Sequence, residues 1–239
     1  MTRVIDKGKS YDFFPPFERG RRGDTTERVE RLLRAAIVRL DFAPGEFIDK
    51  SAVCARLGVS RFPVSEALAR LQAEGLVEIL PQRGTRAARI KVEEVTEAML
   101  IRRALEAVVA EQAARRLSED AVGDLRENVE RQERALSDGS GAEFHALDLA
   151  FHATLVDSLG LVRIGTVIES SRANVDRVRI LLSSPTRHAH TLAEHRTILG
   201  SIEARDPERA RRAMEIHLDA VVEELERFSV SHPEVFVEA

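Results

Sequence analysis

Apolar residues recur at helical spacing through the last two thirds of this chain, from about Glu93 onward. No strand-like alternation interrupts the pattern, which therefore predicts an antiparallel, all-helical bundle. Gly, Ser, Asp and Pro residues typical of helix ends divide the pattern into six amphipathic helices. We place these helices at residues 93–116, 119–137, 141–158, 161–182, 187–203 and 207–228.

The composition of the 239-residue chain agrees with a mainly helical protein, since it contains only eight Pro, one Tyr and no Trp. Its hydrophobic content of 44% can form cores in two modest domains. No apolar run approaches the roughly 18 residues that a membrane span needs, and the N-terminus lacks the apolar core of a signal peptide. We therefore expect a cytoplasmic protein without a membrane partner.

Residues 24–90 show a different pattern, in which three short helices precede two strands. Gly58 would form the tight turn between the second and third helices, and Ser60 is a good N-cap for the third. The strands flank a turn with Gly84 at its tip. This order predicts a winged helix-turn-helix with a small β-wing. Its third helix would be the recognition helix, which lies in the major groove of DNA. The predicted helices are residues 25–40, 50–57 and 61–74, and the strands are residues 76–80 and 85–90.

The distribution of charge permits DNA binding, although the net charge of the whole chain is -4. Residues 1–90 contain 17 Lys and Arg against 12 Asp and Glu, so their net charge is +5 and the rest of the chain carries -9. Phosphate contacts require cations only on the part that faces DNA.

The patterns divide the chain into four parts: an arm (1–23), a DNA-binding domain (24–90), an all-helical domain for metal or effector binding and dimerisation (91–230), and a tail (231–239). The arm mixes basic and aromatic side chains without periodicity, and we expect it to be flexible. Two alternatives stay open for it. Its basic residues could contact a minor groove, or its aromatic residues could dock on a partner subunit.

Four side chains that can bind a metal interrupt the apolar faces of the predicted bundle. Asp148 and His152 are spaced i, i+4 and project from one helix face, and His195 and His217 each lie on the apolar stripe of another helix. A lone histidine in such a position is more often a core residue. Burial of an unpaired Asp is costly, however, and a divalent cation would compensate that cost with neutral imidazoles as donors. One or two coordination positions would stay open for water or a ligand carboxylate.

The segments FAPGEFI, ARLGVSRFPVSEALARLQAEGLV and PQRGT resemble the winged helix-turn-helix domain of the GntR family of bacterial regulators. In that family the start of the recognition helix and the wing tip touch DNA. The resemblance implies that Arg61 contacts a base edge or phosphate and that Ser60 and Ser65 lie at the groove. It also implies that Arg83 and Gly84 enter the neighbouring minor groove. The family usually has Arg at position 65, so the operator or the affinity should differ here.

The spacing of the four candidate ligands resembles the FCD ligand domain of the FadR-like subgroup of GntR regulators. The motif Arg102-x-x-Leu105-Glu106 and the segment EHRTILGSIEARDPERARRAMEIHL extend this resemblance. It implies a divalent metal, commonly zinc, nickel or manganese, and a small organic acid as effector. Arg102 is the candidate that would hold the acid beside the metal, and Asn174 is a second candidate. Arg172 is interpreted as a helix-surface residue.

A metal-centred pocket in the same chain as a DNA-binding domain indicates a ligand-controlled transcription factor. The family and the symmetry of a pseudo-palindromic operator indicate a homodimer on double-stranded DNA, and repression relieved by an organic acid is the commonest behaviour of the family. One alternative is a regulator for which the metal is the signal. Another is a metalloenzyme with a DNA-binding appendage, which the lack of a general base or nucleophile motif disfavours. We therefore expect no enzyme activity.

Overall fold

A computed structural model describes residues 11–17 and 25–237. Contacts divide the chain into two compact units. One runs to Lys91 and includes the C-terminal segment from His232, and the other is Val92–Ser231. None of the described helices combines the length and the apolar character that crossing a membrane demands.

The first unit has the predicted order of three helices and a two-stranded antiparallel wing. Asp49 caps the second helix by accepting hydrogen bonds from the backbone N–H groups of Ser51 and Ala52. Gly58 ends that helix with a φ of 63°, a left-handed conformation that glycine adopts without strain. Ser60 occupies the predicted N-cap position, but its side chain makes no cap hydrogen bond. The elements are α1 (Thr25–Val38), α2 (Lys50–Leu57), α3 (Arg61–Ala73), β1 (Val77–Leu80) and β2 (Gly84–Ala87).

Two chain segments outside these elements pack within the first unit. Tyr11 and Phe14 are buried, and the Arg56 guanidinium donates hydrogen bonds to their carbonyl oxygens at 3.1 and 2.7 Å. At the other end of the chain, Phe236 is buried and forms an isolated parallel β-bridge with Ile90. The rest of the predicted flexible arm, residues 1–10 and 18–23, lies outside the described residues.

The second unit is a helical bundle with seven helices, not the six that periodicity predicted. The difference lies in residues 161–182, which form two helices separated at Ser171. The Ser171 hydroxyl donates to the carbonyl oxygens of Val167 and Ile168, and Ser170 also donates to Val167. Such bonds compete with the helical backbone ladder and favour a break. The helices are α4 (Val92–Arg116), α5 (Glu119–Ser137), α6 (Gly141–Ser158), α7 (Val162–Ser170), α8 (Arg172–Leu181), α9 (Pro185–Glu203) and α10 (Pro207–Ser231).

Candidate functional site

The four predicted metal ligands meet inside the helical bundle. Asp148 and His152 come from α6, His195 from α9 and His217 from α10, and all four are buried. One potential ligand atom from each residue lies within 4.8 Å of the others. Three histidines and one carboxylate, brought together from three helices, form a donor set suited to a divalent transition metal.

A hydrogen-bonded chain from α5 fixes the orientation of the His195 ring. The Leu147 carbonyl accepts from the Asn128 amide at 3.0 Å, and Asn128 in turn accepts from Gln132 Nε2 at 2.7 Å. This arrangement turns Gln132 Oε1 toward His195 Nδ1, which lies 2.8 Å away. Because an amide oxygen can only accept, Nδ1 carries the proton and the other ring nitrogen, Nε2, is a lone-pair donor for a metal.

A carboxylate lies beside Nδ1 of each of the other two rings. His217 Nδ1 lies 2.7 Å from Glu194 Oε2, which accepts its hydrogen bond, so this ring directs an unprotonated Nε2 away from the carboxylate. His152 Nδ1 lies 2.5 Å from Glu106 Oε2 in an ion-pair contact that lacks the geometry of a hydrogen bond. Sequence reasoning named none of these partners as functional, because periodicity shows that a residue faces the core but not which group it meets there.

The Nε2 atoms of His152 and His217 lie 3.2 Å apart. If neither nitrogen carries a proton, their lone pairs repel at this distance, and a cation shared between them removes the repulsion. Three buried atoms of the cluster, Asp148 Oδ2, His152 Nδ1 and His195 Nε2, have no hydrogen-bond partner among the described residues. Orphaned polar atoms of this kind are costly in a protein core, so the residues fit a bound metal.

The protonation states of the cluster also suit metal binding. Burial lowers the pKa of His195 and His217 well below the usual 6.5, so both imidazoles are neutral at pH 7. Burial opposes the charged form of Asp148, but the charge of Arg179 outweighs burial and holds the pKa of Asp148 below its usual range. Arg179 pairs with Asp148 through Oδ1 alone, which leaves Oδ2 for a cation.

A cavity of about 600 Å³ adjoins the cluster and reaches it at His152. Arg102 lies on its wall and is buried, with Nε 2.6 Å from Glu106 Oε1 and with Nη1 lacking a hydrogen-bond partner among the described residues. Arg172 also lines this cavity, contrary to its interpretation as a helix-surface residue. Asn174 does not line it, and accepts a hydrogen bond from Arg177 at 3.0 Å. Helices α4, α6, α7 and α8 supply the wall.

The residues predicted to contact DNA are exposed in the first unit. Ser60, Arg61 and Ser65 lie at the N-terminal end of α3, and Arg61 Nη2 donates to Ser51 Oγ at 3.1 Å. Arg83 and Gly84 lie at the turn between β1 and β2, where Gly84 has a φ of 113° that disfavours other residues.

Comparisons with known proteins agree with both units. Residues 25–86 match the gntR family of bacterial regulatory proteins, and residues 75–220 match the FCD domain. The chain is 32% identical to the HTH-type transcriptional repressor RspR of Escherichia coli K12, over 89% of this chain and 93% of RspR. It is 35% identical to an HTH-type transcriptional regulator in an unstable DNA locus of Streptomyces ambofaciens, over 90% of this chain and 91% of that protein.

Solved structures show the same fold. A GntR transcriptional regulator from Rhodococcus sp. RHA1 has a TM-score of 0.72 at 24% identity, covering 84% of this chain and 97% of that one. McbR/YncC from E. coli has a TM-score of 0.70 at 18% identity, covering 85% and 97% of the two chains.

Proposed function

Because this chain belongs to the GntR family of bacterial transcriptional regulators and carries the FCD domain of the FadR-like subgroup, we propose that it is a repressor whose DNA binding is controlled by a small organic acid. The matching relatives are HTH-type transcriptional regulators and not enzymes. The observation that carries the proposal is the buried ligand cluster beside a cavity with an unsatisfied arginine, in the same chain as a winged helix-turn-helix.

The repressor binds a pseudo-palindromic operator as a homodimer, with one recognition helix on each half-site. Arg61 contacts a base edge or a phosphate at the start of α3, and Ser60 and Ser65 lie beside it at the major groove. Arg83 and Gly84 at the wing tip enter the adjacent minor groove. Their exposure supports this assignment, as does the single hydrogen bond of Arg61 to a side chain that DNA could replace.

The effector binds where the cavity meets the metal site. Asp148, His152, His195 and His217 would hold zinc, nickel or manganese, and the metal would supply a positive charge that attracts an oxygen ligand. Arg102 directs the free Nη1 donor to the carboxylate, while Glu106 holds Nε and fixes the plane of the guanidinium. Asn174 does not contact the effector directly, since it does not line the cavity.

Control of DNA binding requires the acid to bind the free regulator more tightly than the operator complex. The test combines three measurements on one preparation of the full chain: metal content, thermal stability across a panel of carboxylic acids, and binding to a duplex selected from a randomised library. We expect one acid to stabilise the protein and to weaken DNA binding, and chelation to remove both effects. If the metal alone changes DNA binding and no acid does, the metal is the signal and the effector proposal is wrong.

Arg61→Ala is expected to weaken operator binding by about 1–3 kcal/mol, because it removes a charged contact at the start of the recognition helix. The measurement is a binding titration on the selected duplex at fixed salt concentration. Arg131→Ala is the matched control, since Arg131 is exposed on α5 in the other unit and carries the same charge. Equal losses for the two variants, or loss of metal in Arg61→Ala, would contradict a specific DNA contact.

Ser65→Arg is expected to change the preferred operator, because it places a guanidinium beside Arg61 on the exposed face of α3. A bidentate contact with guanine contributes about 1–3 kcal/mol of discrimination against the wrong base. Selection from a randomised duplex library with each protein measures the change. Ser65→Lys adds the charge without the planar fork, so an identical preference for the Lys and Arg variants would show that charge alone acts.

A further inference from the structure

Between charged groups at its inner and outer ends, the cavity beside the ligand cluster has a largely apolar wall. Helix α6 contributes Leu149, Ala153 and Val156, and α7 contributes Val162 and Ile168. Water on such a wall is displaced favourably by an apolar group, at roughly 25 cal/mol for each Å² of apolar surface removed from water. The wall therefore suits the hydrocarbon part of a ligand.

The hydroxyl groups on this wall are already engaged with their own helix. Thr166 Oγ1 donates to the Val162 carbonyl at 3.0 Å, and Ser170 Oγ donates to the Val167 carbonyl at 2.8 Å. Because each hydroxyl has one proton, neither can also donate to a ligand. A sugar acid carries hydroxyl groups along its length, and those against the apolar side chains of α6 and α7 would lose hydrogen bonds to water that these side chains cannot replace.

The charged groups at the outer part of the wall disfavour a second carboxylate. The Arg172 guanidinium is held by Asp176 at 3.0 Å and by Glu169 at 2.7 Å. Glu169 itself lines the cavity, as does Asp157. A second carboxylate on the ligand would therefore meet two anions and an arginine that is already paired.

At the inner end of the cavity, Glu106 is paired with Arg102 Nε, and Arg102 still offers one unpaired cationic donor. Arg102 Nη1 is buried and has no hydrogen-bond partner among the described residues, and His152 from the ligand cluster lies on the same wall. From this polarity we infer that the effector is a monocarboxylic acid with an unsubstituted apolar body, and that the cavity discriminates against dicarboxylic acids and sugar acids. The inference rests on the proposed function and narrows its effector class.

A series of acids matched in length tests the inference on the zinc-loaded full chain. Octanoate, 8-hydroxyoctanoate and octanedioate differ only in the terminal group, and gluconate represents the sugar acids. We expect titration calorimetry to show octanoate binding at least about tenfold more tightly than octanedioate or gluconate, with 8-hydroxyoctanoate between them. Equal or tighter binding of octanedioate or gluconate would overturn the inference.

A pair of substitutions on α6 tests whether the hydrocarbon chain lies on the apolar wall. Ala150 and Ala153 are both exposed on this helix, but Ala153 lines the cavity and Ala150 does not. Ala153→Phe should weaken octanoate binding at least about tenfold by filling the cavity, and Ala150→Phe should not. Equal effects of the two variants would place the acid elsewhere and refute the inference.

The outcomes also separate this inference from the proposed function. If octanedioate or gluconate binds and releases the selected duplex, the effector class is wrong but regulation by an organic acid stands. If none of the four acids binds to zinc-loaded protein that still binds the duplex, the inference is wrong, and the organic-acid effector is wrong as well if no acid of the wider panel binds. Zinc retention and DNA binding by the same preparation show that the protein is folded in either case.

Discussion

His195→Ala is expected to lower the affinity for zinc by more than about 100-fold. Changes to groups that only orient a ligand typically cost 10–100-fold, and this substitution removes the ligand itself. His195 is fully buried, and its unpartnered Nε2 lies 3.5 Å from Asp148 Oδ1. Competition with a chelator of known affinity measures the change, and the absorption spectrum of bound cobalt reports the number and type of ligands.

His190→Ala is the matched control, because His190 is an exposed histidine on the same helix. It should leave zinc affinity and the cobalt spectrum unchanged. Wild-type affinity in His195→Ala would refute the assignment of this ligand set. Far-ultraviolet circular dichroism of both variants separates loss of the metal site from loss of the fold.

Gln132 offers a finer test of the same site, because it reaches the metal only through His195. Gln132→Leu removes the acceptor for Nδ1–H and should weaken zinc binding about 10–100-fold. Gln132→Glu keeps an acceptor and should restore most of the affinity. A purely structural role for Gln132 predicts no such rescue, since a buried carboxylate destabilises the core more than an amide does.

The sequence predicts the elements of this fold well where periodicity is strong. The predicted bounds of α2, residues 50–57, are confirmed, and the winged order of elements is confirmed with them. The division of residues 161–182 at Ser171 was not predicted, because neither Gly nor Pro marks this position in the sequence.

The candidate metal site is less fully predictable than the fold. The positions of His195 and His217 on apolar stripes indicate that both face the core. Gln132 and Glu194, which orient these rings, lie 63 and 23 residues away from them in sequence. Their pairing depends on how helices pack, and a single sequence does not encode that packing as a periodic pattern. Arg179, paired with Asp148 across 31 residues, escaped prediction for the same reason.

Acidification below pH 6.5 is expected to destabilise the metal-free protein steeply. Burial lowers the pKa of His195 and His217 in the folded protein, whereas in the unfolded chain both titrate near 6.5. Between these values the unfolded chain binds more protons, so the free energy of unfolding falls as the pH falls. The full contribution of these histidines is present above pH 6.5 and is lost below it.

The expected slope is about 1.4 kcal/mol per pH unit for each histidine that only the unfolded chain protonates, and thus up to about 2.7 kcal/mol for the two. The lowered pKa of each ring already includes the effect of the charged groups that face it. Asp148 raises the pKa of both rings and Arg179 lowers it, and Arg187 lowers the pKa of His217. Burial raises the pKa of Glu194, which opposes the effect only as the pH approaches the range of carboxylates.

Urea unfolding between pH 7.5 and 5.5 in the presence of a chelator measures this slope. His195→Gln should reduce it by about half, since one of the two buried titrating groups is removed. His190→Gln, at an exposed position, should leave it unchanged. A free energy of unfolding that stays constant over this range would show that the two rings titrate in the folded protein as they do in the unfolded chain. That result would contradict their burial as neutral imidazoles in the metal-free protein and would refute the pH dependence.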